Sequence, residues 1–395
     1  TDALLVPEEG TSEQLDVIID GAPAQQNYII PSRSQCMQCH TEAGGRALSF
    51  RPEQLHRLSK HGHGAPVDQI KHLVEAGYFD PSLEEETQAF VPLGDSHSSS
   101  YYQLKSYWAV NCAQCHQPNG SAISDWNAGF DTPLREKNII DHPVGNPVSS
   151  ASTAILKPNS TEESEMFYRL SVLGAGHMPP IGTTVVNEAA IEALADFLEN
   201  FGSTSDVYVE KNTVYLPGNG GAYRIQVESP SDQSWAITSK DDWILSSADP
   251  AEANGDGWLT LEAGANSGPV TRLGQAQLAS GETIRVHQLP LAAIQSAIPG
   301  THVWSRGYVE FPGWGIGYVH YWPYVYHSAH EWWYCSPADS RNVWDKKLGW
   351  LMSAQENYPV LWSYDRQRWL YFILRRDNTR IFYDYQREEW IGVDF

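Results

Sequence analysis

The pattern Cys-x-x-Cys-His occurs twice in this chain. CMQCH supplies Cys36, Cys39 and His40; CAQCH supplies Cys112, Cys115 and His116. Four of the five cysteines fall in these pairs, leaving Cys335 over, so a disulfide framework is not the organising device. Three chemistries use such pairs. A zinc site commonly joins two Cys-x-x-Cys pairs in one small module, but these lie more than 70 residues apart on separate helical segments. A thioredoxin-like dithiol needs a βαβ setting that the flanking sequence lacks. The third chemistry is haem attachment, with thioethers from both cysteines and iron ligation by the adjacent histidine. Repetition of the full five-residue pattern favours it. The expectation is two covalent haem c groups on Cys36, Cys39, Cys112 and Cys115, with His40 and His116 as proximal ligands.

The run His116-Gln-Pro118-Asn-Gly120 resembles the loop of small class I cytochromes c. That resemblance implies a Pro118 carbonyl accepting the imidazole hydrogen bond. GHMPP, Gly176 to Pro180, precedes a helix and resembles the distal-ligand loop of the same family. It implies Met178 as sixth ligand, with His177 the rival. The first motif lacks the proline, and Met37 inside it is the one methionine before residue 98. Its sixth ligand is expected from His63, His61 or His56, with His72 and His97 as further candidates. A bis-His first haem lies lower in potential than a His/Met second one, so electrons are expected to run from the first to the second.

Four segments follow from pattern. Residues 1–97 hold an N-terminal stretch and the first motif, closing on a short helix from Pro66 to Gly77 with Val67, Ile70, Leu73 and Val74 on one face. Residues 98–202 hold the second. Ser98–Ser100 supply a helix cap, and Asn187 caps a closing helix with Ile191, Leu194, Ala195 and Leu198 at helical spacing. Residues 206–295 alternate in short runs (YRIQVE, WLTLEA, TIRVHQ), the pattern of a β-sandwich. Residues 300–395 repeat an aliphatic-aromatic pair, a polar turn and a Trp, as in VYHSAHEWWY and VWDKKLGWLM, which predicts an array of hairpins. The expected fold is multidomain: mostly α cytochrome c domains, then an all-β Ig-like sandwich and a β-hairpin aromatic repeat.

The first 200 residues resemble extracytoplasmic dihaem cytochromes c of environmental bacteria. SQCMQCH with its Gly-Gly, PEQL, NCAQCH, FDTPL and MPP before VVNEAAIEALADF carry the resemblance, with departures at Glu42 and His56. The sandwich resembles BACON modules in GGAYRIQVES, SWAITSKDDWI and GDGWLTLEAGAN. That name implies carbohydrate binding, with Trp235, Trp243 and Trp258 as stacking candidates against a core-filling alternative. GDG at 255–257 hints at a Ca²⁺ loop but fits a hairpin turn better.

A net charge of -22 opposes nucleic acid or anionic lipid as partner and suits docking of a basic redox protein or a dehydrogenase. No apolar run reaches the length of a membrane span. The first residues, Thr-Asp-Ala, suggest removal of an upstream segment. Haem attachment implies an extracytoplasmic location: periplasm, cell surface or exterior. The leading expectation is electron transfer, with the C-terminal modules serving glycan, surface or subunit attachment. A dihaem peroxidase or oxidase with an open first haem, and a self-assembling filament subunit, are the alternatives.

Overall fold

The computed structural model describes residues 5–19, 21–48, 50–59, 67–83, 88–201, 206–303, 307–336, 341–353, 356–376 and 378–394. The chain divides into two compact units, Thr1–Glu210 and Lys211–Phe395.

The first unit opens with an antiparallel hairpin, β1 (Thr11–Ile19) and β2 (Ala22–Ile30). The Arg33–Cys39 helix follows. Ser32 caps it reciprocally, accepting from Gln35 N while the Gln35 side chain accepts from Ser32 N. Pro52–Leu55 is a single turn, and two short strands, β3 (Leu58–Ser59) and β4 (Val67–Asp68), pair before the Gln69–Glu75 helix. That helix starts later than the apolar spacing suggests, because the Asp68 carboxylate accepts from Ile70 N and Lys71 N and fixes the N-terminus there.

Ser100–Asn111 is the central helix of this unit. Ser99 caps it, and Tyr101, Tyr102, Leu104, Trp108 and Ala109 are buried, as are Gln103, Lys105 and Ser106. Burial on all sides means it is enclosed by its own unit. The Glu188–Glu199 helix, capped by the Asn187 side chain, lays Ala190, Ala193, Leu194, Phe197 and Leu198 against this core. Between the two helices, residues 112–187 run largely as turns, with one α-helix at Glu165–Ser171 and a 3-10 turn at Leu134–Glu136; a short strand, β5 (Tyr208–Val209), follows the second helix.

The second unit begins with a sandwich of strands β6 (Thr213–Leu216) to β12 (Thr283–Gln288). β7 (Gly220–Glu228), β10 (Gly257–Gly264) and β9 (Leu245–Asp249) hydrogen-bond in that order, all antiparallel. Opposite lie β6, β12, β11 (Arg272–Leu278) and β8 (Ile237–Lys240), with β6 parallel to β12. Trp235 fills this core, its indole N–H donating to Gly255 O at 2.8 Å. Trp243 and Trp258 are instead covered by the guanidinium groups of Arg272 and Arg224.

After a helix at Leu291–Ala297, eleven consecutive antiparallel strands run from β13 (His302–Val303) to β23 (Glu389–Asp394). Alternate hairpin turns share one geometry. A residue with positive φ stands at Gly315, Glu331, Gly349, Gln367 and Glu388, each four positions after the strand-end residues Phe311, His327, Asp345, Ser363 and Asp384. Four of those five cap their own turn. His327 Nδ1 accepts from Ala329 N, Asp345 from Lys347 N and Leu348 N, Ser363 from Arg366 N, and Asp384 from Gln386 N and Arg387 N. Phe311 has no side-chain acceptor.

The sheet is rolled. Arg380 on β22 (Thr379–Asp384) pairs with Asp345 on β18 (Asn342–Asp345), four strands away in the sheet order. In a flat sheet four steps span roughly 19 Å, so the inner face curls until those strands meet.

The expectation of mostly α cytochrome c domains is overturned. The chain is 35% strand and 17% helix, and its largest element is the eleven-stranded sheet. The helical pattern around the cysteine motifs extends only to the seven residues of Arg33–Cys39 and the twelve of Ser100–Asn111. No helix among the described residues is long and apolar enough to cross a membrane.

Candidate functional site

The first unit brings the two Cys-x-x-Cys-His motifs together. Each closes a helix: Cys36 and Cys39 lie in the last turns of Arg33–Cys39, and Cys112 is the C-cap of Ser100–Asn111. Cys115 Sγ lies 3.7 Å from Cys39 Sγ and 3.5 Å from Gln38 O. The Ser121 hydroxyl also donates to Gln38 O. Cys36 is exposed, while Cys39, Cys112 and Cys115 are half-buried.

A glycine four residues after each histidine makes this packing possible. A Cβ on Gly44 would collide with Cys39 O and press on Gln114 O; one on Gly120 would collide with Cys115 O. Each loop therefore folds tightly back over its own second cysteine, and the Gly44 loop also meets the second motif. The repeated unit is thus Cys-x-x-Cys-His-x-x-x-Gly. Its signal was present in HTEAG and HQPNG, but contact between the two copies is a tertiary fact that spacing does not disclose.

Burial keeps the Cys39 and Cys112 thiols protonated. Burial, followed by Cys115 and Cys36 nearby, pushes the Cys39 pKa up to about 11; burial and then Cys115 push Cys112 up to about 12. Burial, reinforced by Cys112, raises Tyr107 to about 12.

The histidines are engaged by the protein itself. His40 Nδ1 lies 2.5 Å from Arg46 O. His116 stacks on Trp126 with ring centroids 4.5 Å apart, and its Nδ1 lies 3.2 Å from Ser124 Oγ instead of pairing with the carbonyl of exposed Pro118. Burial, then the Arg169 charge, lowers the His116 pKa to about 4. His56 pairs with Asp68 at 2.7 Å and His97 with Asp95 at 3.3 Å. His72 sits in the Gln69–Glu75 helix, and His61 and His63 lie outside the described residues. Met178 lines a cavity of about 230 Å³ with Tyr107, Asn111, Leu170, Thr184 and Asn187, beside the helix that ends at Cys112. His177 Nδ1 bonds Gly174 O.

The dihaem reading, with its iron and metal-binding features, is therefore corrected. Among the described residues no three His, Cys, Asp or Glu side chains converge to hold a metal ion. The physical obstacle is the contact itself. The sulfur of one motif packs on the sulfur and backbone of the other, where separate haem edges would each need room. Cytochrome c identity, two haem c groups and a haem-based peroxidase or oxidase are set aside.

A second polar cluster lies in the inner face of the rolled sheet. His327 donates through Nε2 to Trp314 O at 2.7 Å; burial outweighs the upward effect of that bond and lowers its pKa to about 4, holding it neutral. His330 stacks on Trp333 at 4.4 Å and meets the Tyr358 hydroxyl at 3.0 Å. Asp345 accepts from Arg380 and from Trp333 Nε1, all three being buried. Cys335 is buried in the same unit, and burial pushes its pKa up to about 12.

No known protein-family profile matches the chain. No curated protein matches it either. Among solved structures, a Bacteroides ovatus GH5 xyloglucanase in complex with a XXXG heptasaccharide is similar over 21% of this chain and 18% of that one, at 21% identity and a TM-score of 0.18. A likeness that weak carries neither fold nor function.

Proposed function

We propose that this chain passes electron pairs outside the cytoplasm by thiol–disulfide exchange between its two Cys-x-x-Cys-His motifs. The 3.7 Å contact between the Cys39 and Cys115 sulfurs carries this reading. A disulfide bond is about 2.05 Å long, so modest side-chain rotation closes that gap.

Cys36 is the exposed thiol and the first that a partner meets. Its thiolate attacks the disulfide of a redox partner protein, forming a mixed disulfide and releasing one partner thiol. Cys39 displaces the second partner thiol, leaving a Cys36–Cys39 disulfide and a reduced partner. Cys115 then attacks Cys39 and frees Cys36, and Cys112 attacks Cys115 and frees Cys39. Each exchange breaks one S–S bond, forms another, and moves one proton from the attacking to the leaving sulfur. Two electrons thereby travel from the second motif to the partner. The high pKa of Cys39 makes its thiolate scarce at neutral pH and slows release of the partner, and that of Cys112 slows the last internal step. Disulfides persist in extracytoplasmic compartments, and the acidic chain favours a partner with a basic docking face.

The test equilibrates the full chain in glutathione redox buffers, traps free thiols by alkylation and maps them by mass. The expected result is a two-electron titration in which oxidation placed on Cys36–Cys39 reaches Cys112–Cys115, and a Cys39–Cys115 disulfide that accumulates in Cys36→Ser/Cys112→Ser. Independent titration of the two motifs, with no Cys39–Cys115 disulfide in that double variant, would overturn the relay.

A further inference from the structure

The outer face of the eleven-stranded sheet is a ladder of aromatic rings. On β16 (Tyr324–His327), β17 (Glu331–Cys335), β18 and β19 (Gly349–Met352), side chains alternate between a buried inner row and an exposed outer row. Tyr324 stands opposite Tyr334, Tyr334 opposite Trp344, and Trp344 opposite Trp350. Tyr364 extends the row, its N–H donating to Trp350 O. Tyr324 is 52% exposed, and Trp344, Trp350 and Tyr364 are each 40% exposed. A parallel row runs through Met352, Trp362 and Trp369. The Tyr364 hydroxyl joins the rows by donating to Asn342 Oδ1 at 3.0 Å. The intervening residues Val325, Trp333, Val343 and Leu351 are buried on the other face, so core packing accounts for the inner row and not for the outer one.

We infer that this face binds an extended, neutral, β-linked polysaccharide lying across the strands. Strand spacing of about 4.8 Å sets one ring per step, close to the length of one pyranose residue, so successive sugars meet successive rings. A pyranose with equatorial substituents presents C–H faces that pack on Trp and Tyr, while the phenol hydroxyls and Asn342 border the sugar's own hydroxyls. Charge selects the partner. Basic and acidic side chains nearly balance across residues 301–395 in a chain whose total is -22. That excess lies outside the aromatic repeat and disfavours polyanions and a second copy of the chain. A neutral polymer carries no such penalty.

Native affinity electrophoresis of the full chain tests this, with hydroxyethylcellulose, xylan or polygalacturonate in the gel. Retardation is expected with one or both neutral polymers and not with polygalacturonate. Trp344→Ala/Trp350→Ala should weaken it at least tenfold with an unchanged circular dichroism spectrum, whereas Tyr78→Ala, an exposed ring in the first unit, should leave it intact. Absence of retardation by both neutral polymers, or equal retardation of the double variant, overturns the inference. So does concentration-dependent self-association that the double variant abolishes, since it gives the face to a second copy. The thiol relay is unaffected by any of these outcomes.

Discussion

Replacing Asp345 by alanine isolates the interaction that closes the rolled sheet. Asp345 and Arg380 are 2% and 1% exposed, and the carboxylate also accepts from Trp333 Nε1 at 3.0 Å, Lys347 N at 2.8 Å and Leu348 N at 3.0 Å. Truncation leaves a guanidinium buried without its counter-charge, which costs about 3–5 kcal/mol. The lost turn cap adds about 1 kcal/mol. A total of about 4–6 kcal/mol is a large share of the roughly 5–15 kcal/mol that holds an ordinary domain together. In a unit of this size it lowers Tm by roughly 10–20 °C. The equivalent Asp384→Ala is the internal control. Asp384 caps its turn in the same way, but its partner Arg368 is 20% exposed, so water solvates the orphaned cation and the cost is about 1–2 kcal/mol. Urea titration of the full chain, followed by near-ultraviolet circular dichroism, measures both. Asp345→Ala/Arg380→Met removes the stranded charge and should recover at least half of the loss. If Asp345→Ala costs no more than Asp384→Ala, or if the double variant is as unstable as the single, the buried pair does not close the sheet.

Other consequences follow from the same geometry. His327 is held neutral with a pKa of about 4, below the ordinary value of 6.5, so the unfolded chain binds its proton first as pH falls. Stability of the second unit should therefore drop between pH 6.5 and 4, by roughly 3 kcal/mol from this residue alone, and a flat Tm over that range would contradict it. Gln367 and Glu388 hold positive φ at 53° and 55°, so Gln367→Gly or Glu388→Gly should each stabilise by up to about 1 kcal/mol. Gly349→Ala should destabilise by at least that much, since its φ of 68° strains any L side chain; urea midpoints report all three. Gly44→Ala drives a methyl into Cys39 O and should reduce the yield of a Cys39–Cys115 crosslink under mild oxidation severalfold. An unchanged yield would show that the Gly44 loop does not set that contact.

The parts of this molecule written in local chemistry were readable from sequence. Ser99 and Asn187 cap the helices that their types and positions suggest, because a capping side chain bonds within its own turn. The recurring turn-Trp pattern of residues 300–395 corresponds to hairpins for a similar reason, since His327, Asp345, Ser363 and Asp384 each close their own turn. The site was not readable in that way. Cys39 and Cys115 are 76 residues apart, and nothing local to either motif states that the two helix ends meet. The distance argument that set a joint role for the four cysteines aside failed at that point. The resemblance to dihaem cytochromes rested on short motifs, and a motif specifies residue types without the space around them. Rolling of the sheet was equally hidden, because Asp345 and Arg380 look like a solvated turn residue and a strand charge until they face each other.

Peptide mapping of the native protein, purified without reductant and digested before any alkylation, tests the central claim most directly. The thiol relay predicts disulfide-linked peptides among Cys36, Cys39, Cys112 and Cys115, including one joining Cys39 to Cys115, with no other mass added to these residues. Cysteines that carry a covalent adduct other than another cysteine, or four thiols that stay free under oxidising conditions, would contradict it.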